Sequence, residues 1–280
     1  MAARYLIVDV FAREPLAGNA LAVFPEPGSV DPSRMQKIAR EMNLSETTFV
    51  TGVASDGYDV RIFTPTGELP FAGHPTLGTS WVLKHRSVLH GDRVTQRSAA
   101  GETPVTFAGE RVWLERTGSA GEDAEDVDRV LAAFDIDDGS VGFPARALGG
   151  SSRMMLRPAV ATAGVPQLML PLADPAVLAA LRAPAWLPDV DGVYCFAPFG
   201  PGRLKARFFA PGLGVTEDPA TGSAAAALGL YLGARAGRVS IEIEQGAEIA
   251  RPSFLSLEAA PGRARVGGEV HLVAEATLLV

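Results

Sequence analysis

One cysteine, Cys195, is all the thiol chemistry this chain has, so no internal disulfide forms and no pair of cysteines can divide acid and base work within one chain. Its setting, Val193-Tyr194-Cys195-Phe196-Ala197, reads as a buried strand, which makes the thiol an inert core group. Histidine is nearly as scarce: His74, His85, His90 and His271 show no metal-ligand spacing, and no metal is expected. Basic residues are outnumbered, with 25 Lys+Arg against 32 Asp+Glu and a formal net charge of −7. That balance opposes nonspecific binding to nucleic acid or to an anionic membrane and favours a small-molecule partner. No uninterrupted apolar run reaches the roughly 18 residues of a membrane span, and Asp9 and Arg13 surround the first short one. Neither a signal nor a membrane segment is therefore read here, and the expected location is cytoplasmic.

What the chain does have is 280 residues, 47% hydrophobic and 20% charged, enough for two cores of similar size. The most organised stretch is Glu217-Asp218-Pro219-Ala220-Thr221-Gly222-Ser223 running into Ala224-Ala225-Ala226-Ala227-Leu228. Alanine and leucine have the best helix propensities, so a helix is expected from Ser223 to Leu232, with Thr221, Gly222 and Ser223 at its start. The first turn of a helix presents unpaired N–H groups and partial positive charge, which suits a carboxylate, phosphate or enolate oxygen. Asp218 and Ser223 then have two readings: caps of the helix, or parts of an anion-handling site.

The first half contains a counterpart. Arg61-Ile62-Phe63-Thr64-Pro65 matches Arg207-Phe208-Phe209-Ala210-Pro211 at a spacing of 146, and Phe71 to Leu83 can be laid on Ala220 to Leu232 with Gly73 on Gly222, 149 residues apart. Asp31-Pro32 and Asp174-Pro175 each precede an amphipathic run, and Gln96 stands 149 residues before Gln245. A duplicated domain is the economical reading.

In chain order, Tyr5 to Phe11 and Ala20 to Phe24 read as strands, and Asp31-Pro32-Ser33 starts a helix ending near Asn43 whose apolar face is Met35, Ile38, Ala39 and Met42. Leu44-Ser45-Glu46-Thr47-Thr48-Phe49-Val50 puts a carboxylate between a helix end and a β-prone run. Glu46 is either a solvated turn residue or a proton-transfer group held at a strand start. Tyr58 to Thr64 is a strand, Thr76 to Lys84 the first long buried helix, and Val94 to Gln96 and Thr103 to Glu115 are strands turning at Gly109. Arg116 to Asp128, rich in Gly, Glu and Asp, reads as a linker. Beyond it, Ala145 to Leu148, Arg153 to Val160, Gly192 to Ala197 and Lys205 to Phe209 read as strands, Asp174 to Leu181 as a helix. Val239 to Glu244, Phe254 to Glu258, Ala264 to Val266 and Val270 to Ala274 complete a strand-rich tail. A helix apolar on all sides has to be wrapped by sheet, so the expected fold is α+β: two pseudo-symmetric domains, each a mixed sheet curled around a central helix. The expected domains are 1–117, completed by the C-terminal strand 268–280, and 118–267.

Asp9-Val10-Phe11 with Gly18-Asn19, Leu44-Ser45-Glu46-Thr47, Phe63-Thr64-Pro65, Glu68-Leu69-Pro70-Phe71-Ala72-Gly73-His74-Pro75-Thr76, Glu217-Asp218-Pro219-Ala220-Thr221-Gly222-Ser223, and Gln245-Gly246 with Arg251-Pro252-Ser253 form an ordered set. That set resembles the phenazine-biosynthesis PhzF-like family nearly end to end. The resemblance implies a diaminopimelate-epimerase-like fold with the site in the cleft between the domains, a homodimer and no cofactor. The best-known member moves a proton between ring carbons of a dihydro-hydroxyanthranilic acid. Carried over by motif, the catalytic glutamate falls on Glu46, its supporting residues on His74, Asp218 and Ser223, and backbone contacts on Gly73 and Gly222. Epimerases of this fold use a cysteine from each domain; neither helix-start loop here contains one, which argues against cysteine-pair racemisation. The expected activity is a cofactor-independent isomerase acting on a small carboxylic acid. An epimerase with Asp218 as second acid, or a metabolite-binding protein without catalysis, are the rivals.

Overall fold

The computed structural model describes residues 2–124, 127–149, 151–188 and 190–279. The first half contains β1 (Ala2–Val10), β2 (Asn19–Phe24), α1 (Met35–Met42), β3 (Glu46–Ala54), β4 (Gly57–Phe63), β5 (Glu68–Leu69) and α2 (Gly73–His85), then β6 (Arg93–Ser98), β7 (Gly101–Ala108) and β8 (Arg111–Thr117). The second half continues with α3 (Asp128–Phe134), β9 (Phe143–Pro144), β10 (Met155–Leu156), β11 (Ala159–Thr162), β12 (Pro166–Pro171), α4 (Pro175–Ala180), β13 (Val193–Pro198), β14 (Arg203–Ala210) and β15 (Val215–Asp218). It ends with α5 (Gly222–Ala236), β16 (Val239–Gln245), β17 (Ser253–Ala260) and β18 (Arg263–Leu279). Two compact units result: residues 1–115 with 267–280, and residues 116–266.

In the first unit the strands run β1-β2-β3-β4-β6-β7-β8 and then the second half of β18, which pairs back onto β1 and closes an eight-stranded barrel. Closure leaves no unpaired edge in that circuit. Inside runs α2, buried from Gly73 to Ser80 and again at Val82 and Leu83, against β1, β2, β3, β6 and β7. Its apolar residues point in every direction, which is why it cannot lie on a surface. The amphipathic α1 is the opposite case. It buries only Met35, Ile38 and Ala39, against Phe24, Phe49 and Phe63, and ends at Asn43 in the left-handed conformation.

In the second unit the order is β11-β12-β13-β14-β16-β17 and the start of β18, with β15 on β14. Here α5 is buried from Ala224 to Gly233 and packs on β17, β11, β12 and β16. The pairing senses repeat those of the first unit. β2 runs parallel to β3, β3 antiparallel to β4, and β4 parallel to β6; β12 runs parallel to β13, β13 antiparallel to β14, and β14 parallel to β16. The α+β reading with two like halves is what the chain adopts.

Several sequence expectations fail locally, each for a physical reason. Ala145 to Leu148 is a 3-10 turn, not a strand: Ala145 and Leu148 are the buried pair, three residues apart, and Gly149 ends the turn in the left-handed region. Arg153 to Val160 is not one strand, because Pro158 lacks an N–H and separates β10 from β11. Ala264 to Val266 and Val270 to Ala274 are one continuous strand. Gly267 and Gly268 do not break it; a side chain there would collide with the Trp113 and Phe11 rings. The Arg116 to Asp128 stretch is not a free linker where it is described: Ser119 bridges Thr162 and Asp123 bridges Ala159, alongside β11. Glu125 and Asp126 of that stretch lie outside the described residues. Strand β12 and helix α3 escaped the sequence reading, β12 because prolines stand at both its ends.

Candidate functional site

Glu46 is the first residue of β3, and its Oε2 lies 3.2 Å from Nε2 of His74 in the first turn of α2. Its side chain is 16% exposed and that of His74 5%, so the contact is nearly dry. Burial pushes the His74 ring down from 6.5 to about 3, which keeps the imidazole neutral at ordinary pH. The ring is therefore neutral, and the contact is a close approach of Nε2 to Oε2 rather than an ion pair or a hydrogen bond. On its other side Nδ1 is 3.3 Å from Nδ2 of Asn19, the first residue of β2. A tight loop delivers Asn19. Buried Asp9 accepts the Leu16 N–H at 2.7 Å, and Gly18 takes a positive φ of 66° where a Cβ would strike the Val10 carbonyl oxygen.

The start of α2 has no side-chain cap: Ala72 is the N-cap, and Thr76 turns its hydroxyl back to the Ala72 carbonyl at 2.7 Å. Among the described residues, the Gly73 and His74 N–H groups meet no protein acceptor. Such donors favour an anion.

Within the second unit, Asp218 ends β15 and accepts a hydrogen bond from the Thr221 hydroxyl at 2.6 Å. Gln245 fixes this corner, donating to the Asp218 carbonyl at 2.8 Å and to Thr221 Oγ1 at 3.0 Å while accepting from the Tyr194 hydroxyl at 2.9 Å. Thr221, the α5 N-cap, makes no side-chain capping bond, and Ser223 faces Gln167, whose Nε2 is 3.5 Å from its hydroxyl oxygen. Gly222 opens the helix, and the Gly222, Ser223 and Ala224 N–H groups likewise meet no protein acceptor among the described residues.

The structure brings Glu46 and His74 together within one unit, and Asp218, Gly222 and Ser223 together within the other. Two residues in contact with these groups were given no role in the sequence: Asn19 and Gln167. Asn19 lay in the quoted Gly18-Asn19 motif, while Gln167 belongs to the strand hidden by its flanking prolines. The 149-residue offset between Gln96 and Gln245 was a usable signal. Each ties a buried tyrosine to the start of a central helix, Gln96 accepting from Tyr58 and donating to Thr76 at 2.9 Å.

Glu46 and His74 thus lie on a barrel wrapped around a central helix, an architecture shared with solved epimerase structures. A hydroxyproline epimerase from Agrobacterium vitis shares that fold, at 12% identity with a TM-score of 0.64 over 99% of this chain and 92% of that one. The relationship then narrows. The family model for phenazine biosynthesis-like proteins matches residues 8–277, and the chain belongs to that family. It is 39% identical over 280 residues to the trans-2,3-dihydro-3-hydroxyanthranilate isomerase of Pseudomonas aeruginosa, covering 94% of this chain and 92% of the relative. The crystal structure of a PhzF-family phenazine biosynthesis protein from Enterococcus faecalis matches with a TM-score of 0.81 at 28% identity, covering all of both chains. Isomerase activity follows from this kinship.

Proposed function

We propose that the protein is a cofactor-independent isomerase that moves one proton between two carbons of a small carboxylic acid of the dihydro-hydroxyanthranilate kind, with Glu46 as the acid/base. The substrate class comes from the 39% identical relative, whose name states it. The observation that carries the mechanism is Glu46 Oε2 at 3.2 Å from a buried, neutral His74. Glu46 takes the proton from the acidic C–H, and the electron pair left behind is delocalised through the adjacent double bonds. The same carboxyl then gives a proton to another carbon of that conjugated system, so no electrons enter or leave and no co-reactant is consumed. The base must lie within about 3 Å of the C–H, and the developing charge needs donors already in place. Candidate donors are the first-turn N–H groups at Gly73 beside Glu46, which meet no protein acceptor among the described residues. His74 steadies the Glu46 carboxylate, and Asp218 and Ser223 orient the ligand. The working form is a homodimer, which light scattering in solution checks.

The test is deuterium uptake into substrate from heavy water by wild type and Glu46→Gln. The variant keeps the shape and loses the base, so uptake should fall by roughly 10²- to 10⁴-fold. Equal uptake would remove Glu46 from the role. Inversion at a single carbon, without migration of the double bond, would convert the reading to an epimerase with Asp218 as second acid; no turnover of any candidate acid would make it a binding protein.

A further inference from the structure

Thr221 stands at the N-cap of α5, where a threonine oxygen ordinarily accepts an N–H from the second or third helical residue, yet it makes no such bond. Gln245, 1% exposed, supplies the reason. Its Nε2 donates to the Asp218 carbonyl at 2.8 Å and to Thr221 Oγ1 at 3.0 Å, and its Oε1 accepts from the Tyr194 hydroxyl at 2.9 Å and the Thr221 N–H at 3.4 Å. A backbone carbonyl only accepts and a backbone N–H only donates, so those two contacts fix which end of the amide is which. Burial and, after it, the nearby Asp218 carboxylate push the Tyr194 pKa up, so that hydroxyl stays protonated and donates. The Thr221 hydroxyl has one proton. With a Gln245 proton already aimed at its oxygen, its own goes to Asp218 Oδ2, 2.6 Å away.

The first unit contains the same chain with a different end. Tyr58 donates to Gln96 and Gln96 to the Thr76 hydroxyl, each at 2.9 Å, but Thr76 gives its proton to the Ala72 backbone carbonyl at 2.7 Å. At the 149-residue offset the counterpart of Thr221 is Ala72, the N-cap of α2, which has no hydroxyl to give. A central helix of this fold therefore starts without such a hydroxyl. In the second half the hydroxyl is present, and it serves a carboxylate instead of the helix.

We propose that Thr221 is a positioning residue, set by Gln245, that holds Asp218 as an ionised hydrogen-bond acceptor, so that Asp218 orients a hydroxyl or amino group of the ligand and does not act as a second acid. The part Asp218 plays toward a ligand rests on the proposed function above; the hold of the hydroxyl on the carboxylate does not, and it is measured without substrate. A hydrogen bond donated to a carboxylate favours its charged form. The second unit's neighbouring elements agree with that form. Glu217, next in β15, points to the opposite face of the strand, where Arg207 of β14 pairs with it. The register partner of Asp218 on β14 is the apolar Phe208, and the turn Pro211–Leu213 packed on β15 has no titratable side chain. Gln245 of β16 is uncharged, Tyr194 of β13 stays protonated, and the first turn of α5 adds partial positive charge, which favours an anion.

The experiment follows the side-chain carboxyl carbons by NMR in protein labelled with 13C at aspartate, the Asp218 signal being assigned by its loss in Asp218→Asn. Thr221→Val keeps the shape and removes the hydroxyl, so the Asp218 titration midpoint should rise by roughly one pH unit relative to wild type. Thr221→Ser restores the hydroxyl and should bring the midpoint back. In turnover, Thr221→Val should lose roughly 10- to 10²-fold in kcat/KM, with the acidic limb of its pH profile moved up by the same amount as the midpoint, while Thr221→Ser stays near wild type. An unchanged midpoint in Thr221→Val would overturn the proposal. So would a Thr221→Ser protein that behaves like Thr221→Val, because the methyl group and not the hydroxyl would then be what matters. If Thr221→Val does not fold, Thr221→Ala, which gives α5 the N-cap residue that α2 already has, takes its place with the same expected shift. A shifted midpoint with unchanged kcat/KM would overturn the role of Asp218 toward the ligand. Equal deuterium uptake by wild type and Glu46→Gln would instead break the reading of Glu46, while the Asp218 titration still decides the hold of Thr221.

Discussion

The two units repeat a scaffold and differ at the candidate site residues. Both carry a bidentate Arg–Glu pair at the same place, Arg61 with Glu68 and Arg207 with Glu217, each with one bond at 2.7 Å from the terminal nitrogen. Both tie a tyrosine through a glutamine to a threonine at a helix start, and both set an amide against the second residue of the central helix, Asn19 on His74 and Gln167 on Ser223. The candidate site carboxylates, Glu46 and Asp218, do not repeat. By strand register, Glu46 of β3 corresponds to Gly192 before β13, where a Cβ would stand 2.6 Å from the Phe208 ring. Conversely Asp218, opposite Phe208, corresponds to Leu69, opposite Ile62. Each half has a carboxylate where the other has an apolar residue or none. A duplicated frame has thus kept its ties and divided its functional groups, with the imidazole and candidate base in one half and the hydroxyls in the other.

That asymmetry is broken most directly by chemistry. Glu46→Gln should cost roughly 10²- to 10⁴-fold in turnover with binding largely intact, whereas Ser223→Ala should weaken binding of the carboxylate more than the chemical step. Steady-state and single-turnover rates separate the two, and equal kcat losses would erase the division of labour between halves. Next in size is the paired arginine. Arg207 and Glu217 are each 6% exposed, and the Arg207 Nη1 also donates to the Leu178, Ala179 and Leu181 carbonyls. Arg207→Met should therefore destabilise by about 3–5 kcal/mol, because a buried carboxylate is left alone. Arg61 and Glu68 are 35% and 39% exposed, and Arg61→Met should cost about 0–1 kcal/mol after solvent screening. Chemical denaturation of both variants gives the difference.

The buried imidazole provides a pH signature that the hydroxyl in the second half lacks. The folded His74 sits at about 3, below the ordinary 6.5, so the unfolded chain binds a proton the folded chain refuses. Its contribution is complete above 6.5 and is lost as pH falls from there towards 3, at up to about 1.4 kcal/mol per pH unit. His74→Gln should flatten that part of the stability–pH curve, measured by urea unfolding; an unchanged slope would show that His74 is not the group responsible. The smallest effect concerns the central helices. A Cβ on Gly229 of α5 would meet Ala264 Cβ at 2.6 Å and Leu257 Cδ1 at 2.7 Å, while one on Gly78 of α2 would meet the branch tips of Leu21 at 2.6 Å and Val10 at 2.9 Å. Overpacking costs typically about 1–3 kcal/mol. Gly229→Ala should fall at the upper end and Gly78→Ala at the lower, since an alanine Cβ on a paired strand cannot rotate away. Thermal unfolding ranks them, and a reversed order would mean that the second unit's sheet yields more easily than the first.

Much of the fold was legible because its strongest signals are local. An all-round apolar helix, Ala224 to Leu232, calls for a sheet around it whatever that sheet's order, and the 146- and 149-residue offsets made the duplication visible in the chain itself. The Asp31 and Asp174 helix starts were equally readable, each accepting the N–H two residues on, at 2.8 and 2.7 Å. Strands bounded by proline or joined through glycine were not, because proline and glycine signal turns locally while pairing and packing are decided by residues far away, as Trp113 and Phe11 decide them at Gly267 and Gly268. The candidate site divides in the same way. Glu46, His74, Asp218 and Ser223 could be named from motifs, since residue type and spacing belong to the sequence. That Asn19 faces one nitrogen of His74 and Glu46 the other, 55 and 28 residues away along the chain, was decided by tertiary structure alone: only the parallel pairing of β2 with β3, and the burial of α2 against both, brings those three side chains together.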